Sequence, residues 1–189
     1  MTGPLCCLFA LALAGTTACG HGGDRSESAA RSDAEGTADE AGASSGAAAT
    51  TIHLVISGGP HAGTYDARSA DITCSYGLVG KGAWGNQYSV TGKKPNEFSS
   101  LQLIVPDTKD AADGTDKFMV LVGFGQLMQP GYSDHTINTQ AERSDDKKGK
   151  GTLTVDDRGK SGKVTFKGKT ADGVSLEGSI DCNEVMRMS

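Results

Sequence analysis

KGTLTVDDRGKSGKVTFKGKTADGVSLEGSIDC, residues 150–182, decides the fold. Apolar and polar residues alternate over Thr152–Val155, Lys163–Lys167 and Val174–Cys182. That period of two places successive side chains on opposite faces of a strand. Asp157-Arg158-Gly159-Lys160-Ser161-Gly162 and Asp172-Gly173 separate the three runs with turn-forming residues. The stretch reads as a meander of three antiparallel strands.

The same period recurs upstream. Ile52, Leu54 and Ile56 share one face of a first strand, which Gly58-Gly59-Pro60 ends. Ile72, Cys74 and Tyr76 share a face of another, Tyr88 and Val90 mark a further one, and Leu101, Leu103 and Val105 alternate before Pro106. Phe118–Phe124 is almost continuously apolar, as expected of a strand buried on both faces. No segment combines helical periodicity with caps. The expectation for residues 51–189 is an all-β domain, a small sandwich or partly open barrel of about seven to nine mostly antiparallel strands.

Cys74 shares its face with Ile72, and Cys182 shares its face with Leu176 and Ile180. Both cysteines therefore point toward the core, and a Cys74–Cys182 disulfide is expected. Two separate buried thiols are the alternative. Closing a loop of about 109 residues stabilises by ~4–5 kcal/mol in the chain-entropy account.

Ahead of the domain, Leu5–Ala14 is an unbroken apolar run. It is too short for the ~20 residues of a membrane-spanning helix and has the length of a secretory h-region. Thr16-Thr17-Ala18-Cys19 follows and resembles the lipobox of bacterial lipoproteins, in which cleavage precedes a cysteine that carries the lipid. Residues 1–18 are thus expected to be a lipoprotein-type signal peptide, with Cys19 lipidated. Thr16 stands where Leu is usual, and no Lys or Arg precedes the apolar run. Ordinary signal-peptidase cleavage after Ala12-Leu13-Ala14 is the alternative. The five cysteines weigh toward lipidation. Cys6 and Cys7 leave with the leader on either reading. Modifying Cys19 then leaves Cys74 and Cys182 as an even pair, whereas an unmodified Cys19 is an unpaired thiol.

Residues 20–50 contain no Val, Ile, Leu, Met, Phe, Tyr or Trp. Such a segment buries too little apolar surface to offset the entropy of ordering, so residues 19–50 are expected to form a disordered Gly/Ser/Ala-rich tether with an r.m.s. span of roughly 30 Å. The tether holds six of the 23 acids and two of the 18 bases, which leaves 17 acids against 16 bases in the domain. That balance gives no field favouring nucleic acid.

This layout resembles the mycobacterial 19-kDa lipoprotein antigen family, which has a lipobox cysteine, a Thr/Ala/Gly/Ser-rich tether and a small β domain with one early and one late cysteine. Cys19, the tether, Asp71-Ile72-Thr73-Cys74 and Gly178-Ser179-Ile180-Asp181-Cys182 take those places. The resemblance implies a role in the cell envelope or in host contact rather than in catalysis.

The chain carries no G-x-S-x-G, H-E-x-x-H or P-loop motif, no C-x-x-C after the leader, and no cofactor fingerprint. Ser57-Gly58-Gly59 and Gly123-Phe124-Gly125 read as strand ends. His53 should face solvent or a second layer and His61 lies in a turn; spacing alone does not exclude that they converge with His135 on a metal, but nothing in the sequence supports it. Asp107, Asp110, Asp113 and Asp116 recur every third residue without the EF-hand order, so the segment reads as a solvated acidic turn. The lysines of the meander read as guards against edge-to-edge pairing.

Two segments remain as candidate contact sites. Trp84 and Tyr88 lie in Gly80–Tyr88, where Trp84 is either a core plug or, as expected here, exposed at the surface or a pocket rim. Tyr132 and His135 lie in a long loop over Gly125–Gln140, together with Met128 and Pro130. The leading expectation is a non-enzymatic binding or interaction module of the bacterial envelope, facing the periplasm or exterior. It is held to the membrane by lipid at Cys19 and meets a protein or a small apolar ligand, not nucleic acid. A carrier of a small apolar ligand or lipid in a cleft between sheets is the second reading. A hydrolase with an unrecognised site is the third.

Overall fold

The computed structural model describes residues 49–70, 72–140 and 148–188. The leader, Cys19 and tether residues 20–48 lie outside this set. Strands occupy Thr50–Ser57 (β1), Gly63–Ser69 (β2), Thr73–Tyr76 (β3), Trp84–Ser89 (β4), Phe98–Val105 (β5), Met119–Phe124 (β6), Ser133–Asn138 (β7), Lys150–Asp157 (β8), Gly162–Lys169 (β9), Ser175–Cys182 (β10) and Met186–Arg187 (β11). No helix occurs among the described residues. One sheet has the order β2-β1-β10-β9-β8 and the other β11-β3-β4-β5-β6-β7, and they do not close into a barrel. Every pairing is antiparallel except β11 with β3.

The alternation read from residues 150–182 is the register itself. Leu153 lies opposite Phe166, Phe166 opposite Gly178, and Gly178 opposite Leu54. Leu54, Leu153, Phe166, Leu176 and Ile180 are buried against Leu101, Leu103, Val120, Val122 and Ile137 of the second sheet. The strands of the two sheets cross. A Cβ placed on Gly162, at the start of β9, would stand 2.5 Å from the Trp84 ring on β4. One placed on Gly168, near the end of β9, would stand 2.8 Å from Ile137 on β7. β9 therefore runs over β5 and β6 between those points, the geometry of crossed sheet packing. Glycine sits where the two layers approach closest.

The Cys74–Cys182 disulfide is present, with a Cα separation of 6.1 Å. It ties β3 of one sheet to the last residue of β10 in the other, and both cysteines are buried.

The count of eleven strands exceeds the expected seven to nine, because β2, β7 and the two-residue β11 were not legible in the alternation. A second correction concerns β6, which is not buried on both faces. Val120, Val122 and Phe124 are fully covered, while Met119 and Leu121 on the outer face are half-buried.

Candidate functional site

Trp84 is not a surface residue. It is completely buried, and this overturns the expectation of a rim or contact position. Trp84, Asn86 and Tyr88 occupy successive inward positions of β4. The indole Nε1–H donates to Asn86 Oδ1 at 2.8 Å. Asn86, itself 3% exposed, directs its Nδ2 at both disulfide sulfurs, 2.9 Å from Cys74 and 3.2 Å from Cys182. Its carbonyl and amide groups are thus both satisfied without water, as buried polar groups require. Gly85 serves packing on the outer side of β4, whereas Gly82 holds a left-handed φ of +78° in open space. A Cβ on Gly85 would stand 3.1 Å from the Ser75 hydroxyl and 3.6 Å from Val79. Tyr88 is half-buried against Phe98, with ring centroids 5.3 Å apart, and burial raises its pKa above 10.0.

His135 comes together with residues that had no expected role, and Tyr132 does not join them. The β1–β2 loop folds back so that the His61 ring lies flat on Phe124, centroids 4.0 Å apart and planes within 4°. His61 holds φ +61°, a left-handed conformation uncommon outside glycine. Its Nε2 lies 2.9 Å from the Ser133 hydroxyl, and its carbonyl accepts from the Tyr65 hydroxyl at 2.9 Å. His135 meets the His61 ring edge-on at 5.6 Å. The His135 Nε2 is 3.1 Å from the Pro60 carbonyl, and because a carbonyl only accepts, that nitrogen carries a proton. Tyr65, Phe98 and Phe124 continue the ring cluster below. Tyr132 lies on the outer side of the same sheet, across Gly123.

Burial lowers the pKa of His61 below 6.5, and repulsion from His135 lowers it further. Both effects favour the neutral imidazole of His61. The Tyr132 hydroxyl is pushed above 10.0 by burial first and by the charge of Asp134 second, against a hydrogen bond with Ser100. Asp172, fully exposed in the β9–β10 turn, is held below its usual range chiefly by the Thr170 hydroxyl, with the charge of His135 acting in the same direction.

Chemically this end of the domain offers a neutral imidazole on a serine hydroxyl, two tyrosines and an apolar rim. Leu127 and Met128 in the β6–β7 loop are 63% and 92% exposed. His53 is exposed and pairs with Asp66 at 2.7 Å, away from the other two histidines. Asp107 accepts from the backbone of Lys109 and Asp110, as in an Asx turn, and among the described residues no three His, Cys, Asp or Glu side chains converge on a metal position. The space between the sheets is filled by the core. A surface depression of about 980 Å³ lies away from the His61 cluster and is lined by Val55, Pro106, Gln140 and Leu176 together with Lys167 and Glu177. No protein-family model matches the chain, and no curated protein or solved structure is similar to it.

Proposed function

We propose that this protein is a non-enzymatic envelope lipoprotein, anchored through Cys19, whose β domain displays a binding face to a protein partner. One observation carries the reading. The point where the chain joins the domain and the loop cluster around His61 lie at opposite ends of β1. Ala49 precedes β1 at Thr50, and the cluster follows Ser57. An eight-residue strand is about 23 Å long from first to last Cα. A tether arriving at Ala49 would therefore attach at the end of β1 opposite the Pro60–His61 loop and leave the Pro60–His61, Gly92–Asn96 and Gly125–Tyr132 loops unencumbered by the anchor. These loops are joined to one another: Gln126 accepts from the Gly92 amide at 2.8 Å, and Gly125 donates to Glu97 at 2.8 Å. Exposed Leu127 and Met128 give the face the apolar centre that partner contacts use. The buried disulfide agrees with export to an oxidising compartment.

The anchor is tested by mass spectrometry of the mature N-terminus, where a diacylglyceryl cysteine is expected. An unmodified end at Gly15 would refute it. The face is tested by a photo-crosslinker placed at Met128 in the producing cell. A discrete adduct that disappears with Leu127→Asp is expected. The same adduct from a crosslinker at His53 would show that the contact is not specific to this end.

The Ser133–His61 contact specifically favours the hydrolase reading, because a serine hydroxyl on a neutral histidine is the first requirement of a serine nucleophile. Among the described residues, however, no side chain bonds the other nitrogen of His61. A fluorophosphonate probe decides it, since labelling at Ser133 that is lost in His61→Ala would replace the binding reading with an enzymatic one.

A further inference from the structure

Six large hydrophobic side chains are exposed among the described residues, and they divide between two ends of the domain. Leu127 and Met128 belong to the face described above. The other four are Leu78, Val79, Met186 and Met188, each about half exposed. Leu78 and Val79 follow Gly77 in the β3–β4 loop, and Met186 and Met188 lie on and just after β11. Backbone pairing brings them together. Met186 sits opposite Ser75, and the Met188 amide donates to the Tyr76 carbonyl at 2.9 Å. A Cβ on Gly77 would stand 3.4 Å from the Met188 Cβ. Val79 lies against the outer side of Gly85. The four side chains thus form one apolar rim on the β11 edge of the second sheet.

The rim adjoins the attachment point of the chain. Asn183 donates its side-chain amide to the Ala49 carbonyl. From Asn183 to Met186 is three residues, at most ~11 Å of extended chain. Ala49, the first described residue, therefore lies beside this rim and not beside the His61 face.

We infer that the Leu78–Val79–Met186–Met188 rim is a bilayer-contact surface, resting on the apolar headgroup boundary beneath the anchored domain. The inference rests on the reading of Cys19 as the anchor. Unbranched Met and Leu side chains suit a fluid apolar surface better than a fixed pocket. The flanking charges are mixed: Lys81, Glu184 and Arg187 are exposed, and Arg187 is already engaged by Asp157 and stacked on Tyr76. The contact should therefore be apolar and only weakly salt-dependent, unlike a polybasic membrane patch. Tethering raises the effective concentration of the domain at the bilayer, so a contact too weak to hold a free protein is populated in an anchored one.

The test uses residues 19–189 with a hexahistidine sequence in place of Cys19, bound to phosphatidylcholine vesicles through a nickel-chelating lipid. This arrangement does not depend on native lipidation. Trp84 is buried and serves as an internal control, and Leu78→Trp adds a reporter in the rim. A blue shift on vesicle binding and quenching by brominated lipid are expected for the variant and not for the wild type. Adding Met186→Glu and Met188→Glu should lower the contacting fraction about tenfold, which corresponds to losing roughly two half-exposed side chains' worth of apolar burial. Unchanged, unquenched emission of the added tryptophan on vesicles would overturn the inference. So would a blue shift without vesicles that grows with protein concentration, which would assign the rim to a second copy of the chain. Finding native Cys19 unlipidated while the reporter is quenched would remove the anchor but not the surface.

Discussion

Replacing Trp84 with alanine should destabilise the domain by at least ~4 kcal/mol. The indole is fully buried between the sheets, and truncating a buried Trp or Phe to Ala costs ~3–5 kcal/mol through lost transfer energy and the cavity left behind. A second penalty adds to this. Asn86 Oδ1, buried with its residue, loses the Trp84 donor, and an orphaned buried acceptor costs ~1–3 kcal/mol. The two penalties share a site and do not simply add. Against a stability of ~5–15 kcal/mol for an ordinary domain, the variant should be marginal, with a Tm lowered by ~10 °C or more. Trp84→Phe keeps an aromatic ring and loses the donor, so it should fall between wild type and Trp84→Ala. The assay is urea unfolding followed by far-UV circular dichroism, because Trp84 is the only tryptophan. Wild-type emission should be blue and insensitive to iodide. A loss below ~1 kcal/mol in Trp84→Ala, or red, quenchable emission in the wild type, would refute the packing described here.

Three further outcomes follow from the same geometry. Cys74→Ser with Cys182→Ser should cost ~4–5 kcal/mol in the chain-entropy account for a sequence separation of 108, read as a lower urea midpoint. Gly162→Ala should cost ~1–3 kcal/mol because its Cβ meets the Trp84 ring at 2.5 Å, and the penalty should shrink when combined with Trp84→Phe, which removes the colliding atoms. Stability should fall on acidification through the histidine range: the pKa of His61 lies below 6.5 in the folded protein, so the unfolded chain binds the proton more readily, and the contribution is present above pH ~6.5 and lost as pH falls through the folded value. His61→Asn, which tolerates the positive φ, should flatten that dependence between pH 7 and 5, and an unchanged slope would show that other groups set it.

What was legible in the sequence was legible because apolar residues marked the inward positions. β1, β5 and the meander carry Ile, Leu, Val or Phe at nearly every second place, and Gly178 interrupts the series where the Phe166 ring of the neighbouring strand lies across it. The strands that escaped have inward positions of another kind. β7 turns His135 and Ile137 inward, and the histidine conceals the period, so the segment reads as loop. β2 turns Tyr65 and Ala67 inward from an edge and lies otherwise in solvent. β4 turns Trp84, Asn86 and Tyr88 inward, and Asn86 at a core position makes the run look like a polar, glycine-rich contact loop. Its burial is intelligible only once the disulfide is in place, because the sulfurs accept the amide hydrogens that would otherwise stay unpaired.

The same logic bears on the candidate face. Ser133 and Phe124 lie 72 and 63 residues from His61 along the chain, and no local pattern announces their meeting with it. What joins them is the crossing of the sheets, which brings the end of β1 over the β6–β7 edge. His61 adopts a strained backbone to reach Phe124, and the loop that carries it is closed by the bond from His135 to Pro60. Strain of this kind persists only where surrounding contacts enforce it. Three contacts do so here: the stacked ring, the serine and the Tyr65 hydroxyl. A binding face built on a loop held this way is pre-organised, so a partner would not have to order it on contact. Phe124→Leu removes the stacking surface but keeps the core filled. It should therefore loosen the 58–62 loop, seen as faster amide exchange there, with β9 and β10 protected as before. If exchange at 58–62 stays unchanged, the stacking does not hold the loop, and the face around His61 loses the rigidity that recommends it as a binding site.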